Sequence, residues 1–381
     1  MIAINSKLPG VGTTIFSVMS KMAEEHNAIN LSQGFPDYPA DPALIEQVNT
    51  AMLNGHNQYA PMPGLLALRE LIAAKTNGLY QSNYHPETEV TVTAGGTQAI
   101  FTALTATIQQ GDEVIIFEPA YDCYAPTVKM LGGQVKSYEM APPDYEIDWD
   151  MVKRLFSANT KMIILNSPHN PTGRILSAQD MEALIKLTKG TDVLILSDEV
   201  YEHLVYDGAQ HESVARYPEL RERSMIVASF GKLLHTTGWK MGYCLAPENL
   251  TKEFRKIHQF NVFSVNTPMQ YGIVNYLSNP DTYTGLASFF QEKRDYFRTL
   301  LAETKFKLLP CHGSYFQCVS YAHLSEESDV DMAMRLVKEF GVASIPVSAF
   351  YTQNTDHRVL RFCFAKQHET LEKAVERLMK L

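Results

Sequence analysis

Residues 193–201 read VLILSDEVY, and this stretch carries the clearest sign of how the chain folds. An apolar run of strand length ends at a serine and a carboxylate, Asp198, and Tyr201 follows three residues later. Similar apolar runs occur at 89–93, 113–117, 162–165 and 225–228. Segments with helical periodicity follow several of these runs. Short buried strands that alternate with helices predict an α/β fold with a mainly parallel sheet covered on both faces.

Polar residues follow the apolar runs, at the points where the predicted strands end. In open α/β sheets, ligands bind at the carboxyl ends of the strands. Asp198 lies at such an end, and a carboxylate there needs a cation or an N–H group as its partner. Two interpretations of Asp198 stay open on the residues alone: a functional carboxylate, or one half of a structural salt bridge.

The segment Gly95-Gly96-Thr97-Gln98 joins the apolar run at 89–93 to a helical segment. Glycine allows a ligand to approach the backbone closely, and the free N–H groups at a helix start bind anions. Phosphate is the natural ligand of such a segment, although a tight turn explains the same residues. The segment carries neither the G-K-[ST] of a P-loop nor the G-x-G-x-x-G of a dinucleotide site.

The segment Asn166–Gly173 reads NSPHNPTG and follows the apolar run at 162–165. Its two prolines and its glycine restrict the backbone, so the turn aims Asn170 as a hydrogen-bond donor. The alternative is a strand-to-helix turn whose polar residues only cap the helix.

Two cationic side chains occur where apolar residues surround them. Lys232 comes just after the run at 225–228, and Arg361 lies inside VLRFCF. A buried lysine has a lowered pKa and acts as a nucleophile or a base, while Ser229 and Lys240 add donors that suit a phosphate. The planar guanidinium of an arginine suits a carboxylate. A solvated loop lysine and a structural ion pair explain the two residues if each is taken alone.

The composition excludes several classes of protein. The 381 residues include 33 Lys and Arg against 42 Asp and Glu, a net charge of −9, so we expect no nucleic-acid partner. The five cysteines are scattered without a C-x-x-C pair, which predicts a reduced, cytoplasmic protein and no metal site. No apolar run reaches the roughly 20 residues of a membrane helix, and the N-terminus does not read as a signal peptide. We therefore expect no membrane partner.

Taken together, the candidate groups are an anion cradle, an amide, a carboxylate, a tyrosine, a lysine and an arginine. Pyridoxal 5′-phosphate needs this set. Its phosphate needs the cradle, its ring nitrogen a carboxylate, its phenolic oxygen hydrogen-bond donors and its aldehyde a lysine. The residues therefore predict this cofactor.

The chain resembles the class I/II aminotransferases, which are fold type I pyridoxal-phosphate enzymes. It is most similar to the group that holds bacterial methionine aminotransferases and the glutamine transaminases/kynurenine aminotransferases. The matching stretches are LSQGFPDY, NQYAPMPG, EPAYDCYAP, NSPHNPTG, SDEVYEHL, SFGKLLHTTGWKMGYCLAP and RFCFAK. The resemblance implies a large domain with a mainly parallel seven-stranded sheet and a smaller α+β C-terminal domain. The pattern of strands and helices changes after about residue 275, so we expect an N-terminal arm that packs with the small domain (1–40), the large cofactor-binding domain (41–275) and the small domain (276–381).

The resemblance also implies roles for individual residues. Lys232 matches the Schiff-base lysine and Asp198 the partner of the pyridine nitrogen. Tyr201 and Asn170 match the donors to the phenolic oxygen. The other implied cofactor contacts are Gly96, Thr97, Gln98, Ser229 and Lys240 at the phosphate, Tyr121 stacked on the ring, and Tyr59 reaching in from the neighbouring subunit of a homodimer.

Substrate binding is implied in the same way. Arg361 matches the arginine that binds the α-carboxylate of the substrate, with Gly34 and Asn170 nearby. Phe16 and Phe263 match aromatic walls of the side-chain pocket. The implied reaction moves the α-amino group of methionine, an aromatic amino acid or glutamine to a 2-oxo acid with ping-pong kinetics.

Two departures and three alternatives accompany this interpretation. Lys240 occurs where many relatives carry arginine, and Gly231 where many carry serine. A C–S β-lyase that acts on cysteine conjugates shares the cofactor machinery. A ligand-sensing domain without turnover is the second alternative. Regulators of that kind carry an added DNA-binding region, whereas only about 30 residues precede LSQGFPDY here. A dehydrogenase fits the alternating pattern but lacks the glycine fingerprint.

Overall fold

A seven-stranded sheet forms the centre of the molecule, as seen in a computed structural model that describes residues 5–381. In chain order the strands are β1 (Ile29–Asn30), β2 (Val90–Thr93), β3 (Glu113–Glu118), β4 (Gln134–Glu139), β5 (Thr160–Asn166), β6 (Leu194–Asp198), β7 (Ser224–Ser229), β8 (Gly242–Leu245), β9 (Lys307–Leu308), β10 (Phe316–Ser320), β11 (Val342–Ala343), β12 (Ile345–Pro346) and β13 (Val359–Cys363). The apolar runs of the sequence form β2, β3, β5, β6 and β7.

Helices cover the sheet and fill the C-terminal part of the chain. They are α1 (Ile15–Glu25), α2 (Pro42–Leu53), α3 (Leu66–Tyr80), α4 (Gly96–Thr107), α5 (Tyr124–Met130), α6 (Trp149–Lys153), α7 (Ala178–Thr188), α8 (Pro218–Arg221), α9 (Phe230–Leu233), α10 (Glu248–Asn261), α11 (Thr267–Leu277), α12 (Asp281–Thr284), α13 (Leu286–Leu301), α14 (Asp329–Arg335) and α15 (His368–Leu378). Within the described residues, no helix is both long and apolar enough to cross a membrane.

The strand order of the large sheet is β2-β8-β7-β6-β5-β3-β4. Strand β8 runs antiparallel to both of its neighbours, and the other neighbouring pairs are parallel. The prediction of a mainly parallel seven-stranded sheet is therefore confirmed. Because β5, β6 and β7 are parallel, their carboxyl ends meet at one edge of the sheet, with Asn166 paired in register with Asp198.

Local sequence explains how the helices at this edge begin. Helix α7 starts with a capping box, in which Ser177 and Asp180 each bond to the backbone of the other. Helix α4 starts differently. Gly95 precedes it with a φ of +84°, and no side chain caps its first N–H groups. Glycine adopts this φ without the strain that a side chain brings, and the uncapped N–H groups stay available to a ligand.

A second, antiparallel sheet follows in the C-terminal part, in the order β12-β13-β10-β9. Strand β1 of the N-terminal segment pairs with β11, and the ring of Phe16 packs against that of Phe350 at 5.7 Å between centroids. These contacts agree with an N-terminal arm packed on a small domain, but the boundaries at 40 and 275 stay predictions. Residues 1–4 of that arm lie outside the described residues.

Candidate active site

A cavity of about 260 Å³ opens at the carboxyl ends of β5, β6 and β7, where β13 approaches them. Most of the residues singled out from the sequence line it together. These are Phe16, Gly34, Gly96, Thr97, Tyr121, Asn170, Asp198, Tyr201, Ser229, Lys232, Lys240 and Arg361. Residues far apart in the chain thus form one site.

The uncapped start of α4 lies at one end of this cavity. A Cβ atom on Gly95 would stand 3.5 Å from the Nζ atom of Lys240, so the ammonium group lies directly beside the helix start. Thr97 and Ser229 line the same cavity with their hydroxyl groups. Backbone N–H groups, hydroxyls and one ammonium group form a set that suits a phosphate.

Asp198 is 3% exposed and lies at the end of β6. Its carboxylate accepts a hydrogen bond from the hydroxyl of Tyr124 at 2.5 Å and one from the backbone N–H of Val200 at 3.3 Å. Burial raises the pKa of Asp198 to about 6, and the Tyr124 hydrogen bond opposes part of that rise. A buried carboxylate with neutral partners suits a protonated ring nitrogen in the cavity.

Lys232 lies on the short helix α9, directly after β7, and its side chain lines the cavity. Its Nζ atom donates to the hydroxyl of Tyr315 at 2.6 Å and to the carbonyl oxygen of Gly34 at 3.0 Å. Burial, assisted by the nearby positive charge of Arg361, lowers the pKa of Lys232 to about 8. Near neutral pH a part of these amines is therefore uncharged, as a nucleophile or base requires.

Arg361 is 1% exposed, although β13 places it among apolar side chains. Its two terminal nitrogens donate to the side-chain oxygen of Asn170 and to the carbonyl oxygen of Ser32, each at 2.7 Å. The Nε atom has no partner among the described residues. The guanidinium lies 3.9 Å from the ring centroid of Phe316. A buried cation held by neutral acceptors has its charge free for an anionic ligand.

Asn170 is aimed by the NSPHNPTG segment, although its side chain is engaged differently from the prediction. Its amide oxygen accepts from Arg361, and its backbone N–H donates to the side-chain oxygen of Asn166. Asn166 in turn donates to the carbonyl oxygen of Asp198 at 3.0 Å. The amide nitrogen of Asn170 has no hydrogen-bond acceptor in these contacts, so its role as a donor to a ligand stays a prediction.

Two glycines let other groups approach closely. A Cβ atom on Gly34 would lie 2.8 Å from the ring of Phe316, so a larger residue would force the ring to move. A Cβ atom on Gly231 would lie 3.0 Å from the Cα atom of Thr237. A serine at position 231 would therefore need the backbone at Thr237 to move by a few tenths of an ångström.

Three predicted residues do not line the cavity of this single chain. The side chain of Gln98 bonds instead to the backbone N–H of Ala94 and to the hydroxyl of Thr102. Tyr59 is 81% exposed and Phe263 is 53% exposed. Their rings pack edge to face at 5.2 Å between centroids. Both aromatic residues thus lie on the surface of the chain.

Several residues of the site were missed by sequence reasoning. Tyr315 contacts Lys232, Tyr124 holds Asp198, and Ser32 accepts from Arg361. Asp122 is a further carboxylate in the cavity wall. Tyr124 and Asp122 belong to the stretch EPAYDCYAP, which also contains the predicted site residue Tyr121. Their position in that stretch could have indicated that they lie near the site. Tyr315 gave no signal, because a tyrosine beside an apolar strand is typical of a protein core.

Metal ligation was not expected from the sequence. In residues 5–381 no group of three or more His, Cys, Asp or Glu side chains is placed to hold a metal ion.

Comparison with known proteins identifies the family. The family model described as aminotransferase class I and II matches residues 26–378. Methionine aminotransferase of Escherichia coli (strain K12) is 46% identical over 377 residues, which cover 99% of this chain and 98% of that protein. Kynurenine–oxoglutarate transaminase 1 of Rattus norvegicus is 32% identical over 411 residues, covering 98% and 97%. The crystal structure of YbdL from Escherichia coli, reported to have a methionine aminotransferase function, matches with a TM-score of 0.98 at 45% identity over 100% of both chains.

The mostly parallel seven-stranded sheet and its match to a solved aminotransferase structure show that the chain has the fold of a fold type I enzyme. The chain belongs to the class I and II aminotransferase family, whose members use pyridoxal phosphate. The resemblance found from the sequence is thereby confirmed.

Proposed function

We propose that this aminotransferase binds pyridoxal phosphate in the cavity around Lys232. It moves the α-amino group of methionine, an aromatic amino acid or glutamine to a 2-oxo acid. The observation that carries the proposal is the convergence on one cavity of a half-buried lysine, a buried carboxylate and a buried guanidinium. Lys232 has a lowered pKa, Asp198 has neutral partners, and Arg361 has no anionic partner among its hydrogen bonds.

The residues present fit the cofactor. The α4 start with Lys240 and Ser229 would hold the phosphate, and Asp198 would hold the ring nitrogen. Tyr201 and the amide nitrogen of Asn170 would donate to the phenolic oxygen. When bound, the cofactor supplies the aldehyde that takes the amino group and the ring that accepts the electron pair of the Cα–H bond.

The protein's own residues bind the substrate and move its proton. Arg361 binds the α-carboxylate through its fork, while Asn170 and Ser32 keep the guanidinium plane fixed. The neutral amine of Lys232 takes the proton from the α-carbon of the substrate and holds it on the Nζ atom. Tyr315 and the Gly34 carbonyl lie where the protonated amine can donate, so they stabilise Lys232 while it holds the proton.

The walls support a substrate with a neutral, apolar side chain. Phe16, Tyr121 and Phe316 line the cavity with aromatic surface, and Ile100 adds an aliphatic side chain. The 46% identity with the Escherichia coli methionine aminotransferase supports methionine as one donor. Aromatic surface also suits phenylalanine and tyrosine.

An absorbance spectrum of the purified protein tests this proposal. A visible band that moves to the ultraviolet on adding methionine, and returns with a 2-oxo acid, is the expected result. The Lys232→Ala variant should lose turnover while it keeps the melting temperature of the cofactor-free protein. No visible band after adding cofactor would overturn the proposal. Release of ammonia and pyruvate from a cysteine conjugate, without use of a 2-oxo acid, would point to a C–S β-lyase instead.

We also propose that the enzyme is a homodimer in which Tyr59 and Phe263 complete the site of the partner. Both residues are exposed and lie outside the cavity of their own chain. Phe260, close by in sequence, is 86% exposed. Adjacent large aromatic side chains on a surface mark an interaction site.

A mixing experiment tests this arrangement. Lys232→Ala and Tyr59→Ala homodimers are each expected to have low activity. A mixed dimer contains one site with both changes and one site with neither, if Tyr59 acts across the interface. Mixing should therefore raise the activity well above that of either parent. Absence of any gain, with exchange of subunits demonstrated, would mean that Tyr59 acts within its own chain.

A cytoplasmic location belongs to the same proposal. All five cysteines are free thiols, and four of them are buried. Free thiols are typical of proteins in a reducing compartment.

A further inference from the structure

A second carboxylate, Asp122, lines the cavity and takes no part in the chemistry proposed above. It follows Tyr121 in the turn before α5. Unlike Asp198, it receives no hydrogen bond from another side chain in the part of the chain that the structure describes. Burial raises the pKa of Asp122, and the charge of Arg361 opposes that rise, so the two groups lie within electrostatic reach. Asp122 therefore adds a second carboxyl group to the wall of the cavity in which the substrate would bind.

Almost every charged side chain that lines the cavity already has a role in the proposed function. The lining residues include three cationic and two anionic side chains, namely Lys232, Lys240, Arg361, Asp122 and Asp198. In the proposed function the three cations serve proton transfer, phosphate binding and binding of the α-carboxylate. A substrate with a second carboxylate would find no unassigned cation among these lining residues and would meet Asp122. Like charges in a partly desolvated cavity repel strongly.

We propose that Asp122 is a specificity-determining residue that discriminates against amino acids and 2-oxo acids with a side-chain carboxylate. This inference rests on the proposed function, because it concerns the substrate of the same site. Asp122 would select substrates by electrostatic repulsion. The aromatic walls accept neutral side chains, and the carboxylate of Asp122 disfavours side chains that carry a negative charge. Glutamine and glutamate separate these effects, since they share a shape and differ in charge.

The test compares Asp122→Asn with the wild-type holoenzyme. The rate of disappearance of the visible band is measured against glutamine and against glutamate, which gives kcat/KM for the first half-reaction. The substitution should raise the glutamate/glutamine ratio of kcat/KM by about tenfold or more. Asp144→Asn is the matched control, because Asp144 is exposed and lies outside the cavity. That control should leave the ratio at its wild-type value.

The outcomes are distinct. An unchanged ratio in Asp122→Asn, or an equal loss with both substrates, would overturn the role of Asp122 and leave the proposed function intact. A wild-type protein that reacts with neither glutamine nor methionine would instead overturn the proposed function. Asp122→Ser is a second variant for the case in which Asn disturbs the turn. It must change the ratio in the same direction as Asp122→Asn.

Discussion

Replacing Asp198 by asparagine should stabilise the cofactor-free protein, and the gain should grow with pH. Asp198 is 3% exposed, and burial raises its pKa from the ordinary 3.8 to about 6. Because the folded protein holds the proton more tightly than the unfolded chain, the stability due to this group is complete below pH 4. It is lost as the pH rises through 6. At about 1.36 kcal/mol for each pKa unit, the loss amounts to about 3 kcal/mol.

Urea unfolding of the cofactor-free proteins between pH 4 and 8 measures this effect. The free energy of unfolding of Asp198→Asn minus that of the wild type should rise by about 2 to 3 kcal/mol over this range, because part of the loss has already occurred at pH 4. Asparagine can still accept the hydrogen bond from Tyr124, so the loss of charge is the main change. Asp144→Asn, at an exposed position, controls for the change in net charge and should give a flat difference. A difference for Asp198→Asn that varies by less than about 1 kcal/mol would refute a raised pKa at this site.

Three other substitutions test the remaining groups of the site. Arg361→Lys replaces a fork by a point charge, so kcat/KM for methionine should fall about 100-fold; a fall of less than threefold would count against carboxylate binding there. Lys240→Ala removes the ammonium group beside the α4 start, so spectroscopic titration should show at least about tenfold weaker binding of pyridoxal phosphate. An unchanged affinity would place the phosphate elsewhere. Tyr315→Phe removes one of the two acceptors of the Lys232 ammonium group, so the pKa of Lys232, followed by labelling of the cofactor-free protein at varied pH, should fall below about 8. A rise in that pKa would contradict the hydrogen-bond arrangement.

Residues at strand ends were predictable from the sequence because burial and polarity change there within a few residues. Asp198 and Lys232 each follow an apolar run, and the structure brings both to one cavity. The mainly parallel sheet was predictable because short apolar runs alternate with helical segments along the chain. The antiparallel direction of β8 within the seven-stranded sheet was not predictable, because a short apolar segment has the same pattern in either direction.

The residues that hydrogen-bond to the side chains of the site were harder to predict, because residues far apart in the chain can be in contact without any pattern in the local sequence. Tyr315 lies 83 residues from Lys232 in the chain and contacts its amine. The sequence shows only a tyrosine before an apolar strand. Asp122 lies in the stretch EPAYDCYAP, which matches the family. Its proposed effect on substrate choice follows only from the structure, in which Asp122 and Arg361 line the same cavity.

Tyr59 and Phe263 are the two aromatic residues of the predicted site that lie on the surface of the chain. Both are large aromatic residues that water reaches, and neither lines the cavity of its own chain. Burying them would remove apolar surface from water, which favours an association that covers both rings. If a second copy covers them, the aromatic wall that favours neutral side chains extends across two chains, while Asp122 and Arg361 stay on one. Substrate choice would then combine an aromatic wall shared by the dimer with a charge pattern set within each protomer. We expect substitution of Asp122 to change mainly the glutamate/glutamine ratio of kcat/KM, and substitution of Phe263 to change the affinity for methionine.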